Sequence, residues 1–161
     1  MKNRYLKEFE DRISPEDSQY LADVKSNMNN NDNSDDVVYV AKLLGFYTKF
    51  KNLHWGAKNN SIHVRLDEFS SELNDYIDEI SENIQSIIGQ FDNSEINEVT
   101  IPTGNDPIQV INDLKDEVEN WFEVHKDDME YEGCRNETSG FLEIIHKYIY
   151  LFYLCKEYEF K

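Results

Sequence analysis

From Ser61 to Ile88 the chain runs without a glycine or a proline, and Leu66, Phe69, Leu73, Ile77, Ile80, Ile84 and Ile87 recur through it at intervals of three and four. Such a period puts the apolar side chains on one stripe of an α-helix, whereas a strand would alternate them. A helix of this span is about 40 Å long. A stripe of that length is stable in water only when other helices cover it. This segment therefore dictates a helical bundle, and the scarcity of chain breakers, 6 Gly and 3 Pro in 161 residues, agrees with it.

The remaining segments can be placed around it. A first bundle helix is expected from about Asp35 to Trp55, with Val37, Val40, Leu44 and Tyr47 inward, joined by Leu43, Phe50 and Leu53. Gly56 and Asn59-Asn60 punctuate the chain before the Ser61–Ile88 helix, and Gly89 ends that helix. Residues Gln90 to Asn105, with Pro102 and Gly104, form a long connection. A third helix starts at Asp106-Pro107-Ile108-Gln109, where Asp106 caps, Pro107 takes the first position and Gln109 reaches back. It is expected to reach about Met129, burying Ile108, Ile111, Leu114, Val118, Trp121 and Phe122. A turn around Gly133, from Glu130 to Thr138, leads to a last helix carrying Phe141, Leu142, Ile145, Ile149, Phe152 and Tyr153. Four long helices with a long link between the second and third predict an all-α, ferritin-like four-helix bundle spanning residues 35–161. Residues 1–34 are expected to be an acidic, Asn-rich arm. In it, Ser14-Pro15-Glu16-Asp17 opens a short accessory helix to about Met28, and residues 27–36 form a polar linker.

Two cysteines cannot build a disulfide scaffold, and both read as reduced thiols. The N-terminal MKNRYLKEFEDR carries charge where a signal peptide is apolar, and the longest apolar run is Tyr148 to Cys155, so no membrane span and a cytoplasmic location are expected. A net charge of −17 disfavours a duplex-DNA partner, whose phosphates are held by Lys and Arg, and suits cations.

The chemistry concentrates beside the apolar stripe. His63, Asp67, Asp78 and Glu82 form two pairs four residues apart, spread over only about 100° of helix circumference. Each pair can hold one cation between its side chains. Asp67 and Asp78 are separated by about 16 Å of helix, so the pairs cannot share an ion within one chain. Two copies of this helix packed antiparallel about a twofold axis would bring the His63/Asp67 end of one to the Asp78/Glu82 end of the other, giving two identical sites per dimer. Imidazole with several carboxylates suits Fe, Mn or Zn, and oxygen-rich coordination with open positions favours iron. His54, at the end of the first helix, is a further ligand candidate, with Trp55 as an aromatic wall. His125 and His146 read as core or surface histidines. Acids four residues apart in a chain with 33 of them are otherwise an ordinary solvated face.

These residues resemble a known signature. Lys51-Asn52-Leu53-His54-Trp55, His63-x-x-x-Asp67-Glu68-Phe69 and Asp78-Glu79-Ile80-Ser81-Glu82, with a weaker likeness at Thr138-Ser139-Gly140-Phe141, are similar to the Dps family of mini-ferritins, over roughly residues 35–158. The resemblance implies a bundle that assembles into a hollow dodecamer. It also implies dimer-interface ferroxidase sites made by His54, His63 and Asp67 of one subunit with Asp78 and Glu82 of its mate. Fe(II) would be oxidised there, preferably by hydrogen peroxide rather than dioxygen, and stored as ferric product, with Zn(II) or Mn(II) as other occupants. Two departures accompany it. The link between His54 and His63 is shorter than the family usually has, and residues 1–36 hold five basic and nine acidic residues, unlike the Lys-rich tails with which relatives hold DNA. The competing expectations are a ferritin-like shell or assembly protein with a vestigial or non-iron metal site and, last, DNA compaction.

Overall fold

A computed structural model describes residues 34–91, 96 and 98–159. The accessory helix expected at Pro15–Met28 lies outside them. Among the described residues there are four α-helices, α1 (Ser34–Gly56), α2 (Asn60–Ile88), α3 (Pro107–Val124) and α4 (Glu132–Glu159), one 3-10 turn, Met129–Tyr131, and no strand. Each boundary has a local cause. The Asn59 side chain accepts from the backbone N–H groups of Ser61 and Ile62, capping α2. Gly89 closes that helix at φ +98°, a left-handed value that a side chain would resist. Asp106 accepts from Ile108 N–H, with Pro107 in the first helical position of α3.

Helix directions follow from the side chains that meet. Tyr39 and Phe50 of α1 contact Tyr76 and Phe69 of α2, Phe69 and Tyr76 contact Phe152 and Phe141 of α4, and Lys42 of α1 pairs with Glu117 of α3. At the far end Lys156 of α4 reaches Asp106 at the start of α3. Residue numbers rise on one helix as they fall on its neighbour between α1 and α2, between α2 and α4, and between α1 and α3, where Asp36 meets Trp121 and Lys42 meets Glu117, so α1 and α4 run one way and α2 and α3 the other. An up-down-down-up order obliges the α2–α3 connection to return along the bundle. That strap crosses α1 at Gly45, where a β-carbon would sit 2.2 Å from the Thr100 carbonyl oxygen. Only glycine lets the backbones approach so closely.

The core is continuous and aromatic-rich. Leu66, Phe69, Leu73, Ile77, Ile80 and Ile84 of α2 are buried as the stripe requires, and Ile87 is half-buried near the end. The first helix departs from expectation: Val37, Val40, Leu43 and Phe50 are buried, but so are Tyr39 and Phe46, while Leu44, Tyr47 and Leu53 are only half-buried. With the strap covering a second flank, α1 has no single inward stripe.

The last connection also differs. Helix α3 stops at Val124 instead of Met129, and α4 begins at Glu132, so Gly133 lies in its first turn instead of in a long loop. The cause is Asp36, a carboxylate only 5% exposed. It accepts from Trp121 Nε1 at 2.9 Å, His125 Nε2 at 3.1 Å and the Tyr131 hydroxyl at 2.6 Å, gathering the end of α3 and the 3-10 turn against the start of α1. Asp128 caps that turn by accepting from Glu130 N–H, which commits the chain to α4 early. Phe122, Leu142 and Ile149 are half-buried, and Tyr153, expected inward, is 52% exposed. No helix among the described residues is long and apolar enough to cross a membrane.

Burial pushes the Asp36 pKa up, but the hydrogen bonds from His125, Tyr131 and Trp121 and the charge of His125 outweigh it and hold the value below the usual 3.8. A lowered carboxylate pKa stabilises the fold fully above the ordinary aspartate pKa, and that contribution is lost as the pH falls through the lowered value. Asp36→Ala is expected to destabilise by about 3 kcal/mol at neutral pH, since it orphans buried donors, and to flatten the acid limb of stability measured by denaturant unfolding. Gly45→Ala is expected to cost about 1–3 kcal/mol in the same assay, because the strap must move off α1.

Candidate metal centre

Only Ala57, Lys58 and Asn59 separate α1 from α2, and this tight link sets His54 against His63. Their rings stack with centroids 3.9 Å apart and planes 30° from parallel. His54 Nδ1 lies 3.0 Å from the His63 carbonyl oxygen, and His63 Nδ1 lies 3.0 Å from the His54 carbonyl oxygen. A carbonyl only accepts, so each Nδ1 carries the proton and each neutral ring keeps its lone pair on Nε2. That is the arrangement of a metal-binding histidine, whose second nitrogen is held by a backbone carbonyl or a carboxylate. The short link is thus accommodated by a reciprocal side-chain-to-backbone exchange that fixes both tautomers.

Asp67 lies beside this pair. Its Oδ1 is 3.7 Å from His54 Nε2, less than twice a metal–ligand distance of about 2.1 Å, so one ion could touch both with little rearrangement. The same oxygen accepts from Lys51 Nζ at 3.0 Å. Hydrogen bonding from Lys51, then its charge, holds the Asp67 carboxyl below the usual aspartate range. His54 is largely enclosed, its side chain 12% exposed, while Asp67 is 60% exposed and accessible to an ion from solvent.

The chain brings His54, His63 and Asp67 together and leaves Asp78 and Glu82 apart, both exposed on α2 about 16 Å or more further along. No group of three His, Cys, Asp or Glu side chains among the described residues converges to hold an ion. Asp67 lies exposed on α2 beside the two histidines, and Asp78 and Glu82 lie exposed further along the same helix. Trp55 is 71% exposed and stands outside the histidine stack.

Other titratable groups have structural partners. His125 binds Asp36, and His146 is exposed on α4. Cys134 and Cys155 are buried, and burial pushes the Cys134 thiol up to about 11. Glu137 of α4 shares a hydrogen bond with Glu79 of α2, which with burial raises its pKa. Asp36 and this Glu79/Glu137 pair have no local sequence signal, because each depends on helices far apart in the chain. Lys51 does have one: it precedes His54 by three residues, the spacing that puts two side chains on one helix face.

Neither models of known protein families, nor curated proteins, nor solved structures yield a match to this chain.

The reciprocal exchange makes a specific spectroscopic prediction. In the metal-free protein near pH 8, long-range proton–nitrogen NMR should show His54 and His63 protonated on Nδ1, against the Nε2 form that free imidazole side chains prefer. Binding of Zn(II) should then shift the Nε2 resonances most.

Proposed function

We propose that this chain is a Dps-like ferroxidase and iron store of the ferritin-like type, in which His54, His63 and Asp67 of one subunit face Asp78 and Glu82 of a twofold-related mate. The observation that carries this reading is the pair of histidines with Nδ1 tied to carbonyl oxygens and Nε2 free beside an exposed aspartate. Nothing in core packing calls for two half-buried imidazoles locked in the metal-binding tautomer. The up-down-down-up order with one long connection agrees with the proposed fold type.

The proposed roles follow from the donors. The two Nε2 atoms supply neutral nitrogen ligands that accept Fe(II), the borderline-soft substrate. The carboxylates of Asp67 and of the mate's acidic pair supply negative charge that favours the ferric product over the ferrous substrate. Two ferrous ions give one electron each to hydrogen peroxide, yielding two ferric ions and two hydroxides. Paired delivery avoids the one-electron reduction that would release a hydroxyl radical. Histidines with fixed tautomers need no proton shuffling as the metal enters. The product would collect in the interior of a homo-oligomer, by the family resemblance a dodecamer, whose charge of −17 per chain favours cation entry.

A second reading, a shell or assembly protein whose site no longer oxidises iron, draws support from the Lys51 ammonium already bound to Asp67. One experiment separates the two. Peroxide-driven Fe(II) oxidation is followed for the wild type and for an Asp78→Asn/Glu82→Gln double variant, with iron retained on the high-mass species after gel filtration. The ferroxidase reading predicts a rate drop of about 100-fold with assembly preserved. Equal rates in both proteins, at the level of buffer alone, would leave the shell reading.

A further inference from the structure

Lys51 stands where the proposed site should receive its substrate. Its Nζ is 3.0 Å from Asp67 Oδ1, the oxygen that also lies 3.7 Å from His54 Nε2, and its side chain is 24% exposed. An ion bridging Nε2 and Oδ1 would have to approach an oxygen that already accepts a proton from an ammonium. Two cations on one carboxylate oxygen repel, and the oxygen's lone pairs are shared between them. His54 and His63 are locked by their carbonyl bonds, and Asp67 is held on the rigid face of α2, so the flexible four-carbon stem of Lys51 is the element free to leave. We infer that Lys51 is a resident counter-ion of the Asp67 half-site, which an incoming divalent cation must displace before it can bind.

The inference rests on the ferroxidase reading and deepens it. An empty half-site with two histidines and a bare carboxylate would take up any divalent ion that arrived. A tethered ammonium fills the position in the absence of metal and sets a threshold on loading, favouring ions that bind the two Nε2 atoms strongly enough to expel it. It also accounts for a carboxylate that is well exposed and yet already satisfied. As an ordinary surface ion pair, Lys51–Asp67 would contribute little to stability and nothing to selectivity. The two views differ in what removal of the ammonium does to metal affinity.

The test is calorimetric titration of the full-length, metal-free protein with Zn(II), a redox-inert probe, comparing wild type, Lys51→Met, Lys51→Arg and His63→Ala. Displacement predicts that Lys51→Met binds about tenfold more tightly than the wild type, and that Lys51→Arg, which keeps the charge, gains nothing. Lys51→Gln serves as a second neutral variant should the methionine protein fail to fold. Affinity in the neutral variants equal to or weaker than wild type, with His63→Ala still losing binding, overturns the role of Lys51 and leaves the metal site standing. Equal binding by wild type and His63→Ala overturns the metal site, and the proposal about Lys51 with it.

Discussion

The register of α2 governs both the fold and the candidate site. Leu66, Phe69, Leu73, Ile77, Ile80 and Ile84 lie in the core, and a helix pinned at that many positions over its length can neither rotate nor slide without exposing several large side chains. Each such exposure costs about 1.5–3 kcal/mol. The polar face beside that stripe is fixed by the same packing. His63 and Asp67 emerge near one end and Asp78 and Glu82 near the other, at an angular spread set by helix geometry alone. This set of candidate ligands keeps its spacing because the apolar residues between its members cannot move.

Much of this was legible in the sequence, and the limits have physical reasons. The interval pattern of α2, the break at Asn59-Asn60, the Asp106 cap and the glycine at 89 are local signals, and they place those helix ends to within a residue or so. The first helix was misread in part because an element covered on two flanks loses its single stripe: Tyr39 and Phe46 are buried beside Val40 and Leu43. The turn between α3 and α4 was drawn too long because its geometry is decided by Asp36, a residue 85 positions before its partner Trp121. Local propensity carries no trace of such a contact. At the candidate site the residue types and spacing on α2 were evident. The exchange of Nδ1 protons for carbonyl oxygens across the α1–α2 link was not, since it depends on backbone groups that have no sequence signature.

A chain of net charge −17 must distribute that charge without tearing itself apart. The structure does so in two ways. Asp36 is withdrawn from solvent and satisfied by three donors, so that a buried charge becomes the tie between the first helix and the end of the third. Asp67 remains exposed, and its neighbour Lys51 neutralises it. The first arrangement is permanent because its donors sit on packed aromatic rings and a helix end. The second is reversible because its donor is a single flexible side chain.

The central claim is that the metal centre is shared between two copies of the chain. Complementation tests it most directly: a His63→Ala protein and an Asp78→Asn/Glu82→Gln protein, each inactive in peroxide-driven Fe(II) oxidation, are unfolded, mixed in equal amounts and refolded together. In a mixed dimer one of the two centres draws its histidines and its acids from undamaged halves, so a random mixture should recover about a quarter of wild-type activity. A co-refolded mixture that assembles normally and remains as inactive as either parent would contradict a shared centre.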